Sequence, residues 1–508
     1  VTRFLYILSM TLFLMLLAAT PALAVQVVNV AVSRVESTQA VLVVQTDVTS
    51  DVTVDYGQSP GSYTASASDN GHHRHEVTLD GLAPSSTVYY RVAITHSGHP
   101  AETTTLAEKS FHTSRPAGEP FSFVVGGDNR PNSDTTVQPA VWSTIVGQMA
   151  AGNPDLALSV GDIIFGLGGD SQSRAEDKYS GYFAVMSRLT EGLPLYLAVG
   201  NHEMISSSAN RAALEHDFTL PVNNGADSGA YGEEYYSFDN GDTHFISLCT
   251  ELPGQEGLIT GNQKAWLEND LAATGKVWIV VFMHRPLFSG MHATDPWVNP
   301  LDAVGQQNKA ELHSLFRQYG VDLVFEGHEH FYLHHLEDGV HYVITGGGGA
   351  PLMTPLPGPG DIFAAGTYQH VKVDETSSSL AVSSIDYQGN TLESFDLWAF
   401  DLGLGLTGSY WASYADYAAR NLSADILLSN NDATDLSDIQ VEGISATNGV
   451  SASTATPMAL PDLASGASTG FTIHYSVPAA VSSFSSVVYI SCRDQTGALY
   501  QFPGPYPF

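Results

Sequence analysis

Residues 321–330 read Val-Asp-Leu-Val-Phe-Glu-Gly-His-Glu-His. The apolar run is too short for a helix and stops at a glycine, so it predicts a buried strand. Two imidazoles, His328 and His330, stand just past its end. Four earlier runs finish in the same way: SFVVGGDNR with Asp128, LALSVGDIIF with Asp162, LYLAVGNHE with Asn201 and His202, and VWIVVFMHRP with His284. Each places a metal-capable side chain in a loop marked by Gly or Pro. Helical patterns alternate with these runs at Gln138–Ala150, Gly261–Ala273 and Gln307–Tyr319, and in the last of them Leu312, Leu315, Phe316 and Tyr319 share a face. Strand and helix in alternation predict a layered α/β domain over residues 118–398.

In α/β sheets, sites form beyond the carboxyl ends of strands, so the five loops are expected to converge. One aspartate after a glycine is ordinarily a turn or helix cap, and one histidine a satisfied core residue. Turn chemistry gives no reason for imidazoles at so many strand ends. Two carboxylates, one amide and three imidazoles exceed what a tetrahedral zinc with an open position takes. They suit a pair of divalent or trivalent ions. A shared carboxylate would hold such ions about 3.5–4 Å apart, the spacing that clamps both the attacking and the leaving oxygen of a phosphoryl displacement.

The ordered set GD, GD, GNHE, H and GHEH resembles the calcineurin-like metallophosphoesterase superfamily. With the β-rich region before it, the chain is similar to the purple acid phosphatase branch, over residues 25–398. The resemblance implies a fibronectin III-like β-sandwich followed by a four-layer α/β/β/α domain. It further implies Asp128 and His330 on a first metal, Asp162 bridging, and Asn201, His284 and His328 on a second, the ions being Fe, Zn or Mn. His202 matches the family's non-ligand histidine, which contacts the phosphoryl group or protonates the leaving oxygen, and Glu203 would be its natural orienting partner. The implied reaction is hydrolysis of a small phosphate ester by a metal-bound hydroxide.

Two positions depart from the family pattern. Phe165 stands where the purple enzymes carry a tyrosinate ligand, and it has no oxygen to donate. Arg130 stands two residues after Asp128, where most of the superfamily has a histidine ligand. An arginine has five N–H donors and no accessible lone pair, so it cannot hold a cation; its expected role is to pair with a phosphoryl oxygen during catalysis. The first metal is therefore short of a protein ligand. His292, eight residues after His284, roughly matches a substrate-binding histidine of the purple enzymes. The run Gly346–Gly349 lacks the Lys-Ser/Thr of a phosphate-cradling loop and reads as a segment allowing close backbone approach near the metals.

The flanks have a different texture. From 25 to 115, short alternating segments (AVLVVQT, DVTVDYG, HEVTLDG, VYYRVAIT) predict a β-sandwich. From 403 to 508, ADILLSN, GFTIHYS and SVVYISC predict a second, C-terminal β-sandwich, so the 508 residues make a multidomain chain. At the start, Arg3, an apolar run from Phe4 to Ala19 and Ala22-Leu23-Ala24 read as a signal peptide over 1–24, hence a secreted or periplasmic protein. The run is short for a membrane span, and no second one follows in the mature chain. Nineteen Lys plus Arg against 53 Asp plus Glu give a net charge of −34, which excludes a basic nucleic-acid groove. Cys249 and Cys492, each in an apolar segment, read as buried free thiols. His72, His73 and His75 read as surface residues, and His334 and His335 as opposite faces of one strand. Nothing in the sequence fixes an oligomeric state. The function expected is a phosphatase. The alternatives are a phosphodiesterase or nucleotidase of the same superfamily or, from another class, a non-catalytic surface or adhesion protein with a decayed hydrolase domain.

Overall fold

The computed structural model describes residues 25–99, 102–204, 208–225, 231–291, 303–398, 402–431, 435–493 and 499–507. The predicted leader over 1–24 and His292 lie outside the described residues. Among the described residues no helix is long and apolar enough to cross a membrane.

The N-terminal strands form one hydrogen-bonded set around the long strand Gln39–Gly57. Its first half pairs with Val27–Ser33, its second half pairs with Thr87–His96, and Ala65–Asp80 runs along both. The register shifts between Gln45 and Ser50, so the strand bends there and folds two halves over a core that includes Leu42, Val52, Tyr90 and Phe111. The opposite face of the first half, with Ala31, Val41 and Val43, is buried separately and lies beside the helix Gln172–Thr190. Gln45 Nε2 donates to Asp217 Oδ1 at 2.6 Å, and the Tyr90 hydroxyl donates to the Glu191 carbonyl at 2.7 Å across that junction. One reading fails here. His75 is fully buried, with Nε2 3.0 Å from Ser50 Oγ and Nδ1 3.4 Å from Asp69. A surface position was expected from the turn and strand start there, but His75 lies past the bulge at Gly71 (φ 79°) and shares the inward period of Val77 and Leu79.

The middle of the chain holds two sheets. The first has six strands in the order Thr391–Trp398, Ser379–Asp386, Gln369–Thr376, Phe121–Gly126, Leu156–Ser159 and Leu195–Leu197, the last three parallel. The second has seven, and Thr243–Leu248, Trp278–Met283, Leu323–Glu326 and Val340–Thr345 run parallel through its centre. Phe123 packs edge-on against Phe245 (5.2 Å between ring centres) and Phe325 (6.3 Å), joining the sheets face to face. Alternate residues of the second sheet, Ile246, Ile279, Val281 and Val324, turn outward onto Leu267 and Leu271 of the helix Gly261–Ala273 and Leu312, Leu315 and Phe316 of the helix Ala303–Tyr319. The helices Ala140–Ala151 and Gln172–Thr190 cover the first sheet. Helix, sheet, sheet and helix make four layers. The first helix starts at Ala140 because Gln138 is held in the loop, donating to the Ile163 carbonyl, with Pro139 as the capping position.

Beyond residue 402, two four-stranded antiparallel sheets enclose a core with Ile426, Ile473, Tyr475, Val488 and Cys492, giving the second β-sandwich. Cys249 and Cys492 are buried, and no disulfide joins them. His334 and His335 diverge as expected: the first meets Glu393 at 2.9 Å, the second Asp361 at 2.8 Å.

One ionic bridge ties the edge of the second sheet to its helix. His244 Nδ1 lies 2.7 Å from Asp239 and Nε2 2.9 Å from Asp270. Burial alone would lower its pKa, but the two carboxylates outweigh it and push it up to about 9 from 6.5. The bridge therefore stabilises fully below pH 6.5 and is lost as pH rises through about 9. Thermal unfolding followed between those limits should show a loss of about 2–3 kcal/mol in the native protein that is absent from His244→Gln.

Candidate metal centre

The five strand ends come together, three from the first sheet and two from the second. Backbone hydrogen bonds lace the loops: Asp128 N to Gly161 O (2.8 Å), Arg130 N to Asp162 O (3.0 Å) and Gly327 N to His284 O (2.8 Å). Asp128, Asp162 and His328 all have positive φ, at 52°, 53° and 68°. This is costly for residues with a Cβ and typical of functional sites where surrounding structure enforces it. Gly346 lies so close that a Cβ there would stand 2.9 Å from Asp128 Oδ2 and collide with the Glu329 carbonyl. The glycine run thus closes on the site, as its sequence implied.

Four donor atoms meet at one point. His284 Nε2 is 3.0 Å from Asn201 Oδ1, 3.1 Å from His328 Nδ1 and 3.4 Å from Asp162 Oδ1, and His328 Nδ1 is 2.8 Å from Asn201 Oδ1. His284 Nδ1 donates to the Val160 carbonyl at 2.8 Å, which leaves Nε2 as a bare lone pair. At most one proton, on His328, serves a set of four lone-pair atoms. Asp162, His284 and His328 all offer ligand atoms within 4.8 Å of one another, a candidate metal site. A cation at their centre satisfies every lone pair at once.

A second pair lies alongside. His330 donates from Nδ1 to the Pro351 carbonyl at 2.8 Å and turns Nε2 toward Asp128 Oδ1, 3.6 Å away. That distance is too long for a hydrogen bond, and the buried Asp128 Oδ1 has no partner among the described residues, while Oδ2 accepts the His328 N–H at 2.9 Å. An orphaned carboxylate oxygen facing a bare imidazole nitrogen also fits a cation. Asp162 presents Oδ1 to the first group and Oδ2 to Arg130 (Nε, 3.3 Å) and His202 (Nε2, 3.9 Å).

Electrostatics agree with this division. Burial works to raise Asp162, but His284, His202 and Arg130 outweigh it and hold the carboxyl below its usual range. Burial, with the Asp162 charge, pushes Asp128 up. Burial pushes His328 well below its ordinary value, His330 down to about 4, and His202 down against the pull of Asp162. Neutral imidazoles are what a metal ligand requires.

The profile of the calcineurin-like phosphoesterase family matches residues 95–332, which include Asp128, Arg130, Asp162, Asn201, His202, His284, His328 and His330. The chain carries a calcineurin-like metallophosphoesterase domain. It is 28% identical over 284 residues to purple acid phosphatase 23 of Arabidopsis thaliana, covering 51% of this chain and 57% of that one. It is 31% identical over 221 residues to mouse acid phosphatase type 7, covering 38% and 47%. The chain spans about half the length of the curated relatives it matches. In fold, this chain is similar to a purple acid phosphatase from yellow lupin (TM-score 0.60, 18% identity, 73% of this chain and 74% of that) and to PhoD (0.58, 13%, 72% and 92%).

Two features of the metallophosphoesterase site differ from the sequence reading. Glu203 does not touch the His202 ring. Its carboxylate accepts the N–H groups of Gly200 (2.9 Å), Asp162 (2.8 Å) and Ile163 (2.9 Å), so it braces the backbone that bears Asp162. The His202 ring is oriented by the Gly166 carbonyl, 3.2 Å from Nδ1, and stacks on Phe165 with ring centres 5.1 Å apart. Asn129, which no motif singled out, is buried and donates to Gln138 Oε1 (2.8 Å) and the Ile163 carbonyl (3.3 Å), tying both aspartate loops together. A polar residue between a ligand and an arginine carries no signal of that role in sequence.

Proposed function

We propose that this chain is a secreted phosphatase with a binuclear centre, acting on small phosphate esters. The observation that carries the reading is the meeting of His284, His328, Asn201 and Asp162 lone pairs beside the orphaned Asp128 oxygen. Asn201, His284 and His328 would hold one ion, Asp128 and His330 the other, with one Asp162 oxygen toward each. Ions of the Fe, Zn or Mn type would supply positive charge against the phosphoryl oxygens and a nucleophilic water near neutral pH. Relatives named as acid phosphatases support phosphate esters as the substrate class, and the leader-like residues 1–24 support secretion. We assign residues 25–115, 118–398 and 403–508 to three domains, the first fibronectin III-like.

The chain's own groups do the rest. Arg130, now paired with Asp162, is placed to turn its guanidinium onto a phosphoryl oxygen. His202 presents Nε2 to the same space; with Nδ1–H held by the Gly166 carbonyl, it can give a proton from Nε2 to the leaving alkoxide as the imidazolium, the form that Asp162 favours against burial and that a bound phosphoryl group would favour further. A series of monoesters, diesters and nucleotides, assayed with the metal-loaded enzyme, tests the substrate class. His202→Ala should lower kcat about a hundredfold for alkyl phosphates, whose leaving groups need a proton, and only a few-fold for nitrophenyl phosphate. Equal losses across the series would remove His202 as the donor.

A further inference from the structure

Phe165 stands where a metal-binding tyrosine stands in the similar enzymes, and the structure gives its ring other neighbours. His202 stacks on it, and the Arg130 guanidinium lies over it, 5.5 Å from the ring centre. The two groups assigned to the phosphoryl transfer thus share one aromatic wall.

That wall is fixed from behind. Lys178, on the helix Gln172–Thr190, has a side chain only 1% exposed, and two of the three partners of its ammonium belong to the Phe165 loop. It donates to the Phe165 carbonyl at 2.8 Å and to Asp170 Oδ2 at 2.6 Å, and Asp134 completes the group at 3.0 Å. Asp170 in turn accepts the Leu167 N–H at 2.8 Å. Between them, Gly166 presses on the GNHE turn so closely that a Cβ would collide with the His202 carbonyl, and its own carbonyl meets His202 Nδ1. A buried ammonium needs such partners to remain charged. These partners all belong to residues within or against one loop, and that loop carries no metal ligand after Asp162.

We infer that Lys178 and Phe165 are positioning residues, the lysine clamping the loop so that the phenyl ring holds Arg130 and His202 in register for phosphate binding and leaving-group protonation. The inference rests on the roles proposed above for Arg130 and His202. It also accounts for a chain that keeps an aromatic ring at the tyrosine position while giving up its oxygen.

Lys178→Met and Phe165→Leu, prepared as the full chain with both metals loaded, test it. Both should keep wild-type metal content. Inorganic phosphate should inhibit each with a dissociation constant raised about three- to tenfold, since Arg130 loses its support. Their kcat should fall about tenfold for alkyl phosphates and less than about threefold for nitrophenyl phosphate, and the double variant should be little worse than the poorer single, because both act through one ring. Phe165→Leu removes no buried charge and keeps the test decisive if Lys178→Met does not fold. Losses that are equal across leaving groups, with phosphate affinity unchanged and only the melting temperature lowered, would overturn the inference and leave Lys178 a structural staple. His202→Ala in the same series separates two failures. A flat series for His202→Ala overturns the donor role and this inference with it, whereas a graded one beside flat series for the other two variants overturns the inference alone.

Discussion

Asp162→Ala is expected to abolish phosphatase activity, lowering kcat at least about a thousandfold, and to strip metal from both halves of the site. The proposal makes this carboxylate the bridge: Oδ1 lies 3.4 Å from His284 Nε2, and Oδ2 is turned away from that group, toward Arg130 and His202. Its removal also takes from Arg130, a permanent cation, the carboxylate it pairs with, which raises repulsion against whatever metal remains. Elemental analysis of the purified variant, beside steady-state kinetics, checks both parts. Retention of two tightly bound ions with near-native turnover would contradict the assignment.

Glu203→Ala should be the most destabilising single change in the site, costing about 3–5 kcal/mol, because it leaves three well-aligned backbone N–H groups buried without acceptors. The carboxylate is fully buried and bonds Gly200, Asp162 and Ile163, with Ile164 at 3.3 Å. These are the residues of two ligand loops, so metal retention should fall together with the melting temperature. Glu203→Gln keeps an acceptor oxygen but brings an N–H₂ against backbone donors, and an intermediate loss is expected. Denaturant unfolding of the three proteins gives the order. A Glu203→Ala variant with native stability that lost only the leaving-group response would restore Glu203 to the role of His202's orienting partner.

Much of the candidate site was legible because the residues assigned to it sit at strand ends, and buried strands are the segments whose sequence is least ambiguous. The runs ending at Asp128, Asp162, Asn201, His284 and His328 could be lined up before any geometry was known, and the loops they open into do converge. The division of those strands between two sheets could not be read. Val280 and Phe282 face one layer and Val281 the other, and an apolar run buried on both faces has no period that tells its neighbours apart. The bend in Gln39–Gly57 was hidden because its core-facing residues keep one period on both sides of the register shift, and His75, which looked like a turn residue, continues the inward period of Val77 and Leu79. Roles carried by backbone were the least accessible. Glu203 looked like the partner of its neighbour in the motif, whereas its partners are amide groups, which every sequence supplies everywhere. Lys178 lies on a surface helix, where a lysine ordinarily faces water. Only the fold shows its ammonium bonded to the Phe165 carbonyl.

The central claim is that these residues hold two ions, and metal titration of the stripped full-length protein addresses it most directly. Calorimetric titration with zinc or manganese, with activity measured at each point, should show two ions bound per chain. One would be held by Asn201, His284, His328 and Asp162. The other, which has only Asp128, Asp162 and His330, should bind more weakly, and turnover should appear as that weaker site fills. Full activity with a single ion per chain, or with none, would contradict the account.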